Sequence, residues 1–178
     1  MHKDVEEILY SEDVLKKRVA ELGAEITRDY AGKSPLLVGV LKGSFIFMAD
    51  LVRSIDLPAT VEFMVVSSYG SGTVTSGAVQ IIKDLEQDVG GKDILIIEDI
   101  LDSGNTLSYL KGILEQRGAA SIKICTLLDK PARRKAPISP DYSGFEVEDK
   151  FIVGYGLDYA EKYRNLPYIG VLAPRCYQ

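Results

Sequence analysis

Residues 98–107 carry the densest set of reactive groups in the chain: Glu98-Asp99, two apolar residues, then Asp102-Ser103-Gly104-Asn105-Thr106-Leu107. Two adjacent carboxylates suit ribose hydroxyls or a hard cation. Ser103 and Thr106 add hydroxyl donors, and Gly104 lets a backbone approach closely. The apolar run Ile94-Leu95-Ile96-Ile97 lies immediately upstream. It is branched enough for a strand buried on both faces, and a helical pattern opens after the loop. In open α/β sheets, ligands sit beyond the carboxyl ends of strands, and free N–H groups at a helix N-terminus attract phosphate. The stretch therefore asks for a ligand carrying both a phosphate and a polyol. It is neither a Walker A loop nor a dinucleotide fingerprint, because both glycine patterns are missing.

The elements that must position this loop follow from periodicity. Val5–Tyr10 reads as an edge strand. Ser11 is a good N-cap for a helix carrying Val14, Leu15, Val19, Leu22 and Ile26. Leu36–Leu41 is a second buried strand, followed by Lys42-Gly43-Ser44 and a helical pattern over residues 45–55. Val61–Val66 and Ile122–Leu128 are further strands, and Gly118 suits the end of the intervening helix. Strands and helices alternate from residue 36 to 128. This predicts an α/β fold of three layers, a mostly parallel sheet with helices on both faces. Residues 149–164 read as a short strand, a Gly-Tyr-Gly turn and a polar aromatic segment, and Tyr168–Leu172 as a last strand.

Composition narrows the classes. The chain has 178 residues, 46% hydrophobic and 26% charged, with a net charge of −5. That predicts a single domain with a good core and argues against nucleic acid as the main partner. No apolar run reaches membrane-spanning length, and Met1–Glu7 lacks the apolar centre of a signal peptide, so a cytoplasmic protein away from membranes is expected. Two cysteines, Cys125 and Cys176, imply no disulfide framework. The one histidine, His2, lies in the terminal tail, which excludes a histidine triad or a His-ligated zinc site. The basic run Lys130–Lys135 has no aromatic partners and reads as solvated loop, although Lys130 directly follows a strand.

Residues 94–106 resemble the phosphoribosyl-diphosphate loop of the type I phosphoribosyltransferases: a short apolar strand, two acids, two apolar residues, then D-[ST]-G-x-T. Lys150-Phe151-x-x-Gly154-Tyr155-x-Leu157-Asp158-Tyr159, with Arg164 six residues past the Asp, resembles the hood of hypoxanthine-guanine phosphoribosyltransferases. Together the resemblance covers about residues 36–164. It implies a core over about 11–130 and a small hood from about 1–10 and 131–178. It further implies an enzyme moving a phosphoribosyl group from 5-phosphoribosyl 1-diphosphate to N9 of hypoxanthine or guanine, giving IMP or GMP and diphosphate, with Mg²⁺.

The resemblance also assigns roles. Asp102 becomes the general base or acid at purine N7. Glu98 and Asp99 hold the ribose hydroxyls, directly or through metal, and Ser103–Leu107 hold the 5′-phosphate. Lys42, Gly43 and Arg164 grip the diphosphate. Lys130, Phe151, Ile152 and Asp158 line the purine site: Phe151 stacks, Lys130 donates to the 6-oxygen, and Asp158 ligates Mg²⁺ on the diphosphate side. Ser68 and Tyr69 belong to a glycine- and serine-rich lid. The family suggests a homodimer or homotetramer and often has a cis peptide where Leu41–Lys42 stands. Two rival readings differ in class or base. A pyrimidine-sensing RNA-binding regulator needs a basic face, which the acidic balance disfavours. An adenine or pyrimidine enzyme is disfavoured by Lys130 and the Phe151 segment.

Overall fold

A computed structural model describes residues 1–68 and 79–178. In chain order the elements are β1 (Val5–Tyr10), α1 (Glu12–Asp29), β2 (Leu36–Leu41), α2 (Phe45–Arg53), β3 (Thr60–Ser68), β4 (Val79–Lys83), β5 (Asp93–Leu101), α3 (Asn105–Gln116), β6 (Ser121–Asp129), β7 (Tyr142–Glu146), β8 (Ile152–Val153) and β9 (Ile169–Leu172). The main sheet runs β4-β3-β2-β5-β6-β7. It is parallel throughout except for β4, which returns antiparallel to β3. The expected three-layer α/β architecture is therefore present.

Side-chain alternation along the strands builds the two outer layers. Leu37, Leu95, Ile97, Cys125 and Leu127 face one side and pack with Leu15, Val19, Leu22 and Ile26 of α1 and Phe47 and Leu51 of α2. Leu36, Val38, Val40, Ile94, Ile96 and Ile124 face the other and pack on Leu107, Leu110 and Leu114 of α3. Ile94 to Ile97 are completely buried, and each such side chain contributes about 1.5–3 kcal/mol of burial energy. Ser11 caps α1 as expected, its hydroxyl accepting from the Val14 N–H at 3.4 Å.

Two boundaries differ from the sequence reading. First, β5 does not stop at Ile97; it continues to Leu101, pairing Glu98 with Thr126 and Leu101 with Asp129. The acids therefore stand on a strand rather than after it. Second, the hood assigned to residues 131–178 loses β7. Residues 142–146 pair in parallel with β6 and complete the core sheet. This covers an edge that would otherwise be open. Arg18 of α1 holds β7 from outside, donating to the carbonyls of Ser143 at 2.7 Å and Gly144 at 3.0 Å. What remains of the hood is the antiparallel sheet β1-β9-β8. It meets the core through Tyr10 stacked on Phe145 at 4.0 Å and through Ile152, Leu157, Ile169 and Val171. No helix among the described residues is long and apolar enough to cross a membrane.

Candidate active site

The loop after β5 is shaped by one glycine. Gly104 takes φ +82° as the N-cap of α3, a left-handed conformation that a side chain resists. A Cβ there would also lie 2.6 Å from Ile138 Cγ2. Ser103 Oγ accepts the Asn105 N–H at 3.3 Å, and no side chain caps the helix from the N-cap position. The helix thus presents its positive end, with Thr106 beside it, to a cleft.

The loop is braced from behind by a residue that the sequence reading left in solvent. Arg134 donates through Nε to the Asp102 carbonyl at 3.0 Å and also pairs with Asp129 and the Ile138 carbonyl. The Ser103 carbonyl accepts the N–H groups of Lys135, at 2.8 Å, and Ala136, at 3.0 Å. The basic run is therefore partly scaffold. Nothing in its composition separates Arg134 from Arg133 or Lys135.

The cleft, about 230 Å³, is lined by Gly43, Glu98, Asp99, Asp102, Ser103, Gly104, Thr106 and Leu107 among others. Burial raises the Glu98 carboxyl well above its usual range, and the neighbouring Asp99 charge adds to this. Burial also raises Asp99, although bonds from protein donors and the Arg164 charge oppose the shift. Glu98 accepts the Asp99 N–H at 3.0 Å, and Asp99 accepts the Ile100 N–H at 2.7 Å. Gly43 touches this pair so closely that an added Cβ would fall 1.8 Å from Asp99 Oδ2. The Leu41–Lys42 peptide, preceding Gly43, is cis.

A second cleft, about 410 Å³, opens alongside and shares Ile100 and Asp102 with the first. Lys130, Phe151, Ile152, Leu157, Asp158 and Tyr177 line it. The Lys130 side chain is buried, and its ammonium donates to the Lys150 carbonyl at 3.0 Å. Phe151 remains partly exposed. Asp102 thus stands at the junction, and its Oδ1 is buried with no hydrogen-bond partner. An acceptor with no donor from the chain itself is a place for a donor from a ligand.

Charged groups from the hood close the arrangement. Arg164 pairs with Asp158 at 2.9 Å and donates to the Gly156 carbonyl at 2.7 Å, while its buried Nε has no partner. Lys42 pairs with Glu161 at 2.9 Å, and Glu161 also lies 3.5 Å from Arg164. Lys42 holds the Glu161 carboxyl below its ordinary value. Of the three carboxylates expected at metal, Glu98 and Asp99 line the first cleft and Asp158 lines the second. Among the described residues no three such groups converge. Ser68 closes β3, with its backbone paired to Val79. Tyr69, the other expected lid residue, lies outside the described residues. Sequence reasoning missed Arg134, Glu161 and Tyr177.

Comparison with known proteins fits this geometry. Residues 5–160 match the model of the phosphoribosyl transferase domain. The hypoxanthine-guanine phosphoribosyltransferase of Bacillus subtilis is 61% identical over 178 residues, spanning 100% of this chain and 99% of that protein. The bifunctional protein TilS/HprT of Listeria innocua is 58% identical over 99% of this chain, which spans only 27% of that protein's length. A solved hypoxanthine phosphoribosyltransferase from Staphylococcus aureus has a TM-score of 0.96 at 52% identity, covering 100% of this chain and 97% of its own. The chain belongs to the phosphoribosyl transferase domain family.

Proposed function

We propose that the protein is a purine salvage transferase moving the phosphoribosyl group of 5-phosphoribosyl 1-diphosphate to N9 of hypoxanthine or guanine. The observation that carries this is the junction of two clefts at Asp102, whose Oδ1 is buried and unpartnered. The first cleft offers the uncapped end of α3 and the Thr106 hydroxyl to a 5′-phosphate, and Glu98 and Asp99 to ribose hydroxyls. The second offers Phe151 for stacking and the Ile152 backbone for the ring edge. Lys130 supplies a donor for a 6-oxygen. A 6-amino group cannot accept that bond, so adenine is rejected.

Asp102 is the proton-handling group. Attack by purine N9 requires a proton to be managed on the imidazole half of the ring, and a carboxylate facing N7 can do so. Lys42, the Gly43 backbone and Arg164 receive the departing diphosphate, with the unpartnered Arg164 Nε as an available donor. The carboxylates also fit Mg²⁺, which is usually held by one or two protein carboxylates plus substrate phosphates rather than by a protein cage. Glu98 and Asp99 would hold it on the ribose side and Asp158 on the diphosphate side. When bound, Mg²⁺ neutralises the leaving group. Ser68 and Tyr69 belong to the lid that excludes water in this reading. The same reading carries a cytoplasmic homodimer or homotetramer, which size-exclusion chromatography tests.

The experiment is an absorbance assay with phosphoribosyl diphosphate, Mg²⁺ and hypoxanthine, guanine, xanthine, adenine or uracil in turn. Turnover of hypoxanthine or guanine that chelation abolishes is the expected result. Turnover of uracil alone, or of no base, overturns the reading.

A further inference from the structure

Tyr177 has no role in the chemistry above, yet it reaches the second cleft. Its ring is stacked on Phe151, with centroids 4.6 Å apart and planes 18° from parallel. Tyr159 meets Phe151 edge-on at 5.3 Å and 87°, and completes the cluster at 6.4 Å from Tyr177.

The backbone places Tyr177 firmly. The Leu172 N–H donates to the Phe151 carbonyl at 2.8 Å, tying β9 to the residue just before β8. The chain then enters a short 3-10 turn, Pro174–Cys176, in which Cys176 N–H bonds the Ala173 carbonyl at 2.9 Å and Tyr177 N–H bonds the Pro174 carbonyl at 3.1 Å. Ala173 N–H is anchored on the Asp4 carbonyl at 2.8 Å, and Arg175 bonds Lys3 beside it. The turn is therefore pinned to the hood, and Tyr177 is delivered back onto Phe151.

A phenyl ring has two faces. Tyr177 stacks on one, and Tyr159 stands at a right angle to the ring. Phe151 stays 39% exposed and lines the cleft, which leaves surface for a flat partner. A tyrosine placed only for packing would be buried, whereas Tyr177 is itself 37% exposed on the cleft wall. Offset aromatic stacks prefer a fixed interplanar geometry, so a ring backed on one side presents its other face in one orientation.

We propose that Tyr177 is a positioning residue for the base: it backs Phe151, so that the purine becomes the third layer of a Tyr177–Phe151–base stack. This rests on the reading in which Phe151 receives the base. Its effect falls on base affinity, because Tyr177 touches neither the reacting atoms nor the groups that face phosphoribosyl diphosphate.

The test is steady-state kinetics of Tyr177→Ala, Tyr177→Phe and Phe151→Ala, with hypoxanthine and phosphoribosyl diphosphate varied separately. For Tyr177→Ala, KM for hypoxanthine should rise about five- to tenfold, tenfold corresponding to about 1.4 kcal/mol. Its kcat and its KM for phosphoribosyl diphosphate should stay within about twofold, and Tyr177→Phe should restore the wild-type values. An unchanged base KM in Tyr177→Ala overturns the proposal. A lowered one overturns it too, by showing that Tyr177 occupies the base's own place. Uniform loss across all parameters, unrescued by Phe, would mean a structural role only. If Phe151→Ala raises the base KM and Tyr177→Ala does not, the proposal alone falls. If Phe151→Ala leaves the base KM unchanged, the platform reading falls with it.

Discussion

Gly43 to Ala isolates the closest approach in the site. A Cβ at this position would lie 1.8 Å from Asp99 Oδ2 and 2.6 Å from its Cγ. Ordinary contact begins near 3.4 Å, so the carboxylate or the turn must move by about 1.6 Å (3.4 − 1.8). The turn cannot simply withdraw, because the Gly43 carbonyl lies 2.2 Å from where a Cβ on Gly156 would stand, close against that segment. Overpacking of this kind costs about 1–3 kcal/mol. In a chain of this size each kcal/mol lowers Tm by about 2–4 °C. A displacement of about 1 Å at a reacting centre costs about a hundredfold in rate, so kcat/KM for phosphoribosyl diphosphate should fall about a hundredfold, or about 2.7 kcal/mol. Thermal unfolding and steady-state kinetics read the two effects. A second substitution separates them: in an Asp99→Gly background the clash is gone, so Gly43→Ala should lose most of its effect on Tm. Kinetics within about threefold of wild type for Gly43→Ala, or an unchanged Tm penalty in the Asp99→Gly background, would refute the reasoning.

Three further outcomes are expected. Asp102→Asn should lower kcat by about 10²–10⁴-fold while binding of phosphoribosyl diphosphate, followed by calorimetry, stays near wild type; equal activity would sink the proton-handling role. Lys130→Met should reduce kcat/KM for hypoxanthine by at least about a hundredfold with no comparable loss for adenine, measured by competition between the bases. The pH dependence of stability should follow the carboxylate pair in metal-free protein. A carboxyl whose folded-state pKa is raised, as burial raises Glu98 and Asp99, binds protons more tightly folded than unfolded. Stability is then lost as pH rises from the ordinary carboxylate range through the raised one. Wild-type Tm should therefore fall relative to Asp99→Asn between mildly acidic and neutral pH, and parallel curves would exclude this origin.

How much could be read from the residues alone depends on where the controlling energy lies. β2, β5 and their faces were legible because apolar branched runs state their own burial, and Ser11 because a cap is a local bond. β7 was not. Tyr142-Ser143-Gly144-Phe145-Glu146 has only two apolar residues, and it becomes a strand because β6 offers an edge and Arg18 holds its carbonyls. The site divides in the same way. Loop residues 102–107 announce themselves through spacing, and all of them but Asn105 line one cleft with Gly43, Glu98 and Asp99. Arg134 is chemically the twin of Arg133, and only tertiary geometry sends one under the loop and the other to Asp149. Tyr177 depends on a turn whose anchor is Asp4, at the far end of the chain. Asp158 stands apart from Glu98 and Asp99, held by Arg164 at 2.9 Å and by the Glu161 N–H at 2.9 Å on the hood side.

Several polar groups of the site have no partner within the chain. Asp102 Oδ1 lacks a donor, and Arg164 Nε lacks an acceptor. Glu98 and Asp99 stand side by side, half-buried, on the cleft wall, and α3 has no side-chain cap. Two extensive cores, one on each face of the sheet, hold these groups in place. Lys42 and Arg164 meanwhile share the exposed carboxylate of Glu161, at 2.9 Å and 3.5 Å. In the proposed function each of these groups takes a different part of the substrates: a phosphate for α3, hydroxyls or a cation for the carboxylate pair, a diphosphate for Lys42 and Arg164, a ring nitrogen for Asp102. Substitutions that satisfy the site internally should therefore stabilise the fold while weakening the ligand, because the protein would then already hold what the ligand supplies.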